Sequence, residues 1–266
     1  MDLISKIFEE SKFSFEEGAF FITVTDWWSN VVSLSTYYRL YLITDGAAEL
    51  RLTDKTYNLK AGYLYLIPSF SVVSGNCEKM MSHYFVHFMP DSPNTNLLFK
   101  HVHFQRETPA PPIAEELFKL VIENIHGSTT YAGIVRDSAI KLLLSNFFKD
   151  ITQVSADFLR FKDIITYIND NIKSRITVKE LADLAFLNKV YFSNLFVKIF
   201  GISPQGYIIN QKIDAICALL ADKNLSIKEI SCDFGFSDEA YFSRLFKSKT
   251  KLSPKEFRNM LLKGKA

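Results

Sequence analysis

Thr177-Val-Lys-Glu-Leu-Ala-Asp, Tyr191-Phe-Ser-Asn-Leu-Phe and Ile202-Ser-Pro-Gln return further along the chain as Ser226-Ile-Lys-Glu-Ile-Ser-Cys, Tyr241-Phe-Ser-Arg-Leu-Phe and Leu252-Ser-Pro-Lys. Internal self-similarity constrains architecture more than local propensity does. The offset is 49 residues before the central turn and 50 after it, so the second copy carries one extra residue, expected near Glu239.

Each copy parses as a helix-turn-helix. Thr177 and Ser226 are N-cap candidates with Glu180 and Glu229 three positions on, the capping-box pattern. Val178, Leu181, Ala182 and Ala185, and then Ile227, Ile230 and Phe234, supply one apolar side of a short helix. A tight turn follows. Gly235 suits the positive φ that such a turn needs, whereas Phe186 stands at that place in the first copy. Asn188 and Ser237 are the expected caps of the next helix. That helix buries Phe192, Leu195 and Phe196, or Phe242, Leu245 and Phe246, at helical spacing and leaves a polar outer face. Ser-Pro then closes one helix and opens another. Residues 207–221 read as one connecting helix, a rod of roughly 22 Å at ~1.5 Å per residue. A short helix with a polar face fits the major groove, ~12 Å wide. Two of them on such a spacer can lie one DNA turn apart, about 34 Å.

At this point residues 158–258 resemble the DNA-binding domain of AraC-type (AraC/XylS) bacterial transcription regulators. The most specific stretch is Gly235-Phe-Ser-Asp-Glu-Ala-Tyr-Phe-Ser-Arg-Leu-Phe-Lys with Leu252-Ser-Pro and Phe257-Arg. Phe186 replaces the family's small turn residue, Lys212 stands where arginine is common, and Ile216 where alanine is common. The resemblance implies base reading by Val190, Ser193 and Asn194 from the first copy and by Glu239, Ala240, Ser243 and Arg244 from the second. Asparagine suits adenine and arginine suits guanine, because each makes paired hydrogen bonds there. Lys189, Lys198, Lys247 and Lys249 are expected at phosphates, which position a protein without reading sequence.

The formal charge of +2 conceals a division. Residues 158–266 carry 18 Lys and Arg against 11 Asp and Glu, a net of +7, and the remainder is net −5. The basic half is the half with the repeats, as phosphate contact requires. The length of 266 residues suits two domains. There is no apolar run of about 18 residues, so no membrane span is expected. Met1-Asp-Leu-Ile-Ser-Lys lacks a secretory pattern. Cys77, Cys217 and Cys232 are scattered, which fits a reducing cytoplasm.

The first half reads as β structure from about Phe13 to Phe104. Strands are expected at Tyr37-Tyr-Arg-Leu-Tyr-Leu-Ile, ended by a turn at Asp45-Gly46, and at Ala48-Glu-Leu-Arg-Leu, Thr56-Tyr-Asn-Leu, Tyr63-Leu-Tyr-Leu-Ile and Ser82-His-Tyr-Phe-Val-His-Phe. The pattern resembles the cupin-like sensing domain of the same regulators. Trp27, Trp28, Arg39, Tyr41, Tyr65, His83 and His87 are the candidate effector-pocket residues, with Arg39 suited to an anionic group. A second reading fills the barrel core with the same aromatics. His83 and His87 share a strand face, as do His101 and His103. Yet Ser69-Phe-Ser-Val follows Pro68 where metal cupins place a histidine, so no metal and no other cofactor is expected. Pro109-Ala-Pro-Pro112 marks a boundary, and residues 113–126 and 131–150 read as two amphipathic helices. In the resembling family, helices so placed pair two subunits.

The expected fold is therefore α+β with two domains. A cupin-like β-barrel sensing domain spans residues 1–112, a helical dimerisation pair 113–150, a linker 151–157, and an all-α tandem helix-turn-helix domain 158–266. The expected function is a cytoplasmic, non-enzymatic, sequence-specific regulator of transcription, more an activator than a repressor. Its expected partners are double-stranded DNA, a small-molecule effector, a second copy of itself and, for an activator, RNA polymerase. The alternatives are a metal-dependent cupin enzyme fused to a DNA-binding tail, and a ligand-independent regulator set by its expression level.

Overall fold

One strand organises the first half of the chain. In a computed structural model that describes residues 3–24, 37–52, 54–69, 71–91, 95, 98–99, 104–149, 156–220 and 222–263, a strand runs unbroken from Tyr38 to Leu52. Asp45-Gly46 is thus a bend inside one strand, not the turn expected between two. The register slips between Ile43 and Asp45, and Gly46 takes φ +74°. A Cβ at Gly46 would lie 2.1 Å from the Met80 carbonyl oxygen, so only glycine permits the bend.

Among the described residues seven strands follow in chain order: β1 (Phe13–Val24), β2 (Tyr38–Leu52), β3 (Thr56–Lys60), β4 (Tyr63–Ile67), β5 (Val72–Asn76), β6 (Met80–Pro90) and β7 (Glu107–Pro109). All pairings are antiparallel. The hydrogen-bonded path is β1-β6-β2-β4-β7, while β3 and β5 pair with the part of β2 beyond the bend. Helix α1 (Leu3–Glu10) precedes the strands. Two helices follow, α2 (Ala114–Glu123) and α3 (Thr130–Ser145), each shorter than its apolar pattern suggests. The second starts where Thr129 caps Ala132 N–H.

Alternation along β2 divides the core in two. Tyr38, Leu40 and Leu42, with Leu64, Leu66, Val86 and Phe88, pack against Leu117, Phe118 and Val121 of α2 and Ile140, Leu143 and Leu144 of α3. Tyr41 and Ile43 point the other way, into a cluster with Leu50, Leu59, Tyr65, Ile67, Val72 and Met81. The strands curl around this inner cluster.

The chain divides into two compact units, residues 1–154 and 155–266. The second is all helical: α4 (Ala156–Asp170), α5 (Val178–Leu184), α6 (Lys189–Phe200), α7 (Pro204–Leu219), α8 (Ile227–Asp233), α9 (Glu239–Thr250) and α10 (Pro254–Lys263). Helix α4 thus takes in the last two residues of the expected linker. Helix α7 begins three residues before the expected Tyr207, because Ser203 caps Gly206 N–H and Pro204 occupies the first turn. Phe161, Phe192, Phe196, Phe200 and Tyr207 form one ring-on-ring core around the first repeat. Phe236, Phe242, Phe246 and Phe257 do the same around the second.

Candidate nucleic-acid interface

The two repeats are built by the same local rules. Thr177 accepts from Glu180 N–H while the Glu180 carboxylate accepts from Thr177 N–H, and Ser226 with Glu229 repeats this box. Ser226 lowers the Glu229 pKa by hydrogen bonding to its carboxylate. The turns match as well: Leu187 N–H reaches the Ala182 carbonyl and Phe236 N–H reaches the Ser231 carbonyl.

Two expectations about the turn change here. The cap of α9 is Asp238, whose carboxylate accepts from Ala240 N–H and Tyr241 N–H; it is not Ser237. Asn188 caps α6 as expected. Since Leu187 matches Phe236 and Asn188 matches Asp238, the extra residue of the second copy is Ser237, in the turn, rather than one near Glu239. A side chain that can cap from either of two adjacent positions hides such a shift in sequence.

Each copy also places one bulky residue in left-handed backbone where the other has glycine. Phe186 has φ 55° against 75° for Gly235, and Lys251 has φ 67° against 68° for Gly201. Phe186 is 95% exposed, so its ring gains no packing there. It walls an open groove of about 590 Å³ with Thr177, Lys179, Glu180, Asp183 and Leu184. Left-handed backbone costs a β-carbon residue about 1–2 kcal/mol. Phe186→Gly is therefore expected to stabilise the second unit by about 1 kcal/mol, read as a higher helical melting temperature. An unchanged or lower midpoint would show that the turn carries no strain.

At about 100° per residue, Val190, Ser193 and Asn194 share one face of α6, as Ala240, Ser243 and Arg244 share one face of α9. Val190, Asn194, Ala240 and Arg244 are exposed; Ser193 and Ser243 are half-buried. The Ser193 hydroxyl donates to the Lys189 carbonyl, leaving its lone pairs outward. Glu239 is exposed in the first turn of α9, beside the capping Asp238. Helix α6 thus opens on Asn188 and Lys189, and α9 on two carboxylates. Lys189 and Lys198 flank the α6 face, and both are exposed. Lys247 falls within the α9 face, between Ser243 and Arg244 extended by one turn. Lys249 does not join it: five residues beyond Arg244, it leaves the helix about 140° away.

The first unit holds a second cluster. Strand register puts Glu17 opposite His87 and His87 opposite Arg39. The His87 Nδ1–H donates to the Glu17 carboxylate at 2.9 Å. That bond lowers the Glu17 pKa, while burial lowers the pKa of His87 despite its partner. Arg39, only 2% exposed, lies on the inner face of β2 with Tyr41. The His83 ring sits 5.5 Å from that of Tyr41, and burial pushes its pKa down to about 4. Arg39 is consequently the cation of this row at neutral pH. Tyr65 has another duty: its hydroxyl donates to the Asn58 carbonyl and accepts from Lys60 N–H, tying β4 to β3. Trp27, Trp28, His101 and His103 lie outside the described residues. Among the described residues, no three His, Cys, Asp or Glu side chains gather as a metal-binding group.

A helix-turn-helix domain model matches residues 181–260, and a model described as an AraC-like ligand binding domain matches residues 34–160. The chain is similar to AraC-type regulators. It is 34% identical over 121 residues to the XylDLEGF operon transcriptional activator of Pseudomonas putida, a match covering 44% of this chain and 37% of that protein. It is 28% identical over 158 residues to the arabinose operon regulatory protein of Salmonella typhimurium, covering 58% and 56%. These matches span well under two thirds of either relative. The fold is also similar to that of unsaturated-fatty-acid-bound ToxT from Vibrio cholerae, with a TM-score of 0.58 at 15% identity over 92% of this chain and 96% of that one.

Glu17 is the member of this row that sequence reasoning missed. Nothing local marks it, because its partner His87 is seventy residues away and only strand register joins them. No helix among the described residues is long and apolar enough to cross a membrane.

Proposed function

We propose that this chain regulates transcription by reading two successive major grooves of duplex DNA. The observation that carries this reading is the pair of equivalent exposed faces, Val190-Ser193-Asn194 and Ala240-Ser243-Arg244, on two capped helices joined through one connecting helix. The net charge of +7 in residues 158–266 supports it. Arg244 would pair with guanine O6 and N7, Asn194 with adenine, and Glu239 would accept from a cytosine amino group. Lys189, Lys198 and Lys247 would meet phosphates; Lys249 could reach only backbone that wraps the flank of α9.

The first unit would take a small-molecule effector on its inner face. The buried Arg39, beside Tyr41, His83 and His87, suits an effector with an anionic group. For such a ligand to control DNA binding, it must bind the competent and incompetent states with different affinity. Self-association would use the outer side of α3, where Tyr131, Ile134 and Leu142 are exposed at helical spacing opposite the buried Ile140 and Leu144. Light scattering of the purified chain decides whether it is a dimer. We place it in the cytoplasm, and as an activator it would also contact RNA polymerase.

The test of the DNA reading is selection from a randomised duplex pool followed by titration of variants. Arg244→Ala is expected to weaken the selected site by about 1–3 kcal/mol and relax preference at one base position. Lys247→Ala should weaken all sequences alike and reduce the salt slope by about one. An Arg244→Ala chain that keeps the wild-type base preference sinks the assigned register. Failure of the wild-type chain to select any sequence sinks the function.

A further inference from the structure

A lysine sits at the junction of the two repeats. Lys212 lies midway along the connecting helix α7 and is only 8% exposed. Its Nζ donates to the Ser174 carbonyl at 2.9 Å and to the Phe234 carbonyl at 2.5 Å. The first carbonyl belongs to the turn that ends α4, where Ser174 N–H also closes on the Asn171 carbonyl. The second is the C-cap of α8. The Phe234 carbonyl stands at a helix C-terminus, where unsatisfied carbonyls and the negative end of the helix dipole favour a cation; the Ser174 carbonyl belongs to the turn four residues beyond the last residue of α4. Because α4 packs on α6 through Phe161 and Phe192, and α8 leads through Gly235 directly into α9, the ammonium joins the frames of both recognition helices. A second cation completes the clamp: Arg258 of α10 donates to the Leu220 and Leu225 carbonyls beyond the end of α7.

The space around the lysine is filled. A Cβ on Gly235 would lie 3.6 Å from Nζ, and the ring of Phe236 lies 5.9 Å away. An apolar core residue of similar length would fill this site and leave the buried Phe234 carbonyl, and with it the part-buried Ser174 carbonyl, without their donor. Each repeat also has its own caps and its own aromatic core.

We propose that Lys212 is a positioning residue for two-site DNA recognition, fixing the separation and mutual rotation of α6 and α9 through the Ser174 and Phe234 carbonyls. The inference rests on the reading that both helices engage DNA at once. Two modules held rigidly at the right spacing bind far more tightly than either alone, and that gain vanishes when their geometry is lost.

The test compares Lys212→Met, which keeps most of the aliphatic stem and loses the donor, with Lys212→Arg, which keeps a donor. The probes are the duplex selected by the wild-type chain, the same duplex with one half scrambled, and duplexes with one base pair added or removed between the halves. Lys212→Met is expected to bind the full duplex about tenfold or more weakly. It should keep wild-type affinity for the half-scrambled duplex and discriminate less against altered spacing. Lys212→Arg should restore both properties. Equal losses on full and half-scrambled duplexes, or no loss on the full duplex, overturn the proposal.

A DNA-free measurement separates this idea from the reading beneath it. Spin labels on Val190→Cys and Ala240→Cys, in a Cys232→Ser chain, report the distance between the two recognition helices. The distribution should broaden or shift in Lys212→Met and return in Lys212→Arg. An unchanged distribution overturns the positioning role even if DNA binding changes. A changed distribution with no sequence selection by the wild-type chain upholds the clamp and removes its proposed use. Should Lys212→Met fail to fold by circular dichroism, Lys212→Gln, uncharged and one bond too short to place a nitrogen where Nζ bridges the two carbonyls, takes its place under the same criteria.

Discussion

Phe196→Ala is expected to destabilise the second unit by about 3–5 kcal/mol, the range for truncating a buried phenylalanine. Phe196 is fully buried, and its ring centroid lies 4.3 Å from that of Phe200, 5.4 Å from Phe161, 5.6 Å from Tyr207 and 5.8 Å from Phe192. Those partners come from three different helices, α4, α6 and α7, so no single backbone shift can refill the cavity. Net stability of a domain is about 5–15 kcal/mol, so the loss removes a large part of it. Denaturant unfolding followed by helical circular dichroism reads the effect. Val197→Ala, one position on but exposed, is the control and should change stability by about 0.5 kcal/mol or less. Equal effects of the two substitutions would mean that the ring cluster is not the core of the first repeat.

The second large effect is acid sensitivity of the first unit. His83 is buried with Tyr41 on the inner face, and burial pushes its pKa from 6.5 down to about 4. Above pH 6.5 the imidazole is neutral whether the chain is folded or not. As the pH falls from 6.5 to about 4, the unfolded chain takes up the proton and the folded chain resists it. Stability is then lost across that window, by up to about 3 kcal/mol, with no further loss from His83 below it. Glu17 acts in the same direction at lower pH, because its hydrogen bond to His87 requires the carboxylate. Hydrogen exchange of the β2 and β6 peptides, which lie in the first unit, follows its unfolding alone. Urea midpoints at pH 7.5 and 4.5 should differ strongly in the wild type and much less in His83→Phe. A His83→Phe chain as acid-sensitive as the wild type would place the sensitivity elsewhere.

The repeat was legible because helices are written locally. The boxes Thr177–Glu180 and Ser226–Glu229, the Asn188 cap and the stripes of Phe192 and Phe242 all act within one or two turns. The adjacent candidates Ser237 and Asp238 mark the limit, since either can cap and only the folded turn chooses. The β half was legible as strands but not as a site. Asp45-Gly46 carries a turn-like sequence, yet the approach of the Met80 carbonyl makes it a bend.

From its sequence alone this protein had its two helical repeats, their caps, its basic tail and the existence of a β domain. Each of these is set by neighbours three or four positions away, or by composition. Tertiary structure alone brought Glu17, Arg39 and His87 into one row and set Lys212 against two carbonyls. Those meetings join residues between 22 and 70 positions apart, where strand register and helix packing, rather than local spacing, decide which side chains touch.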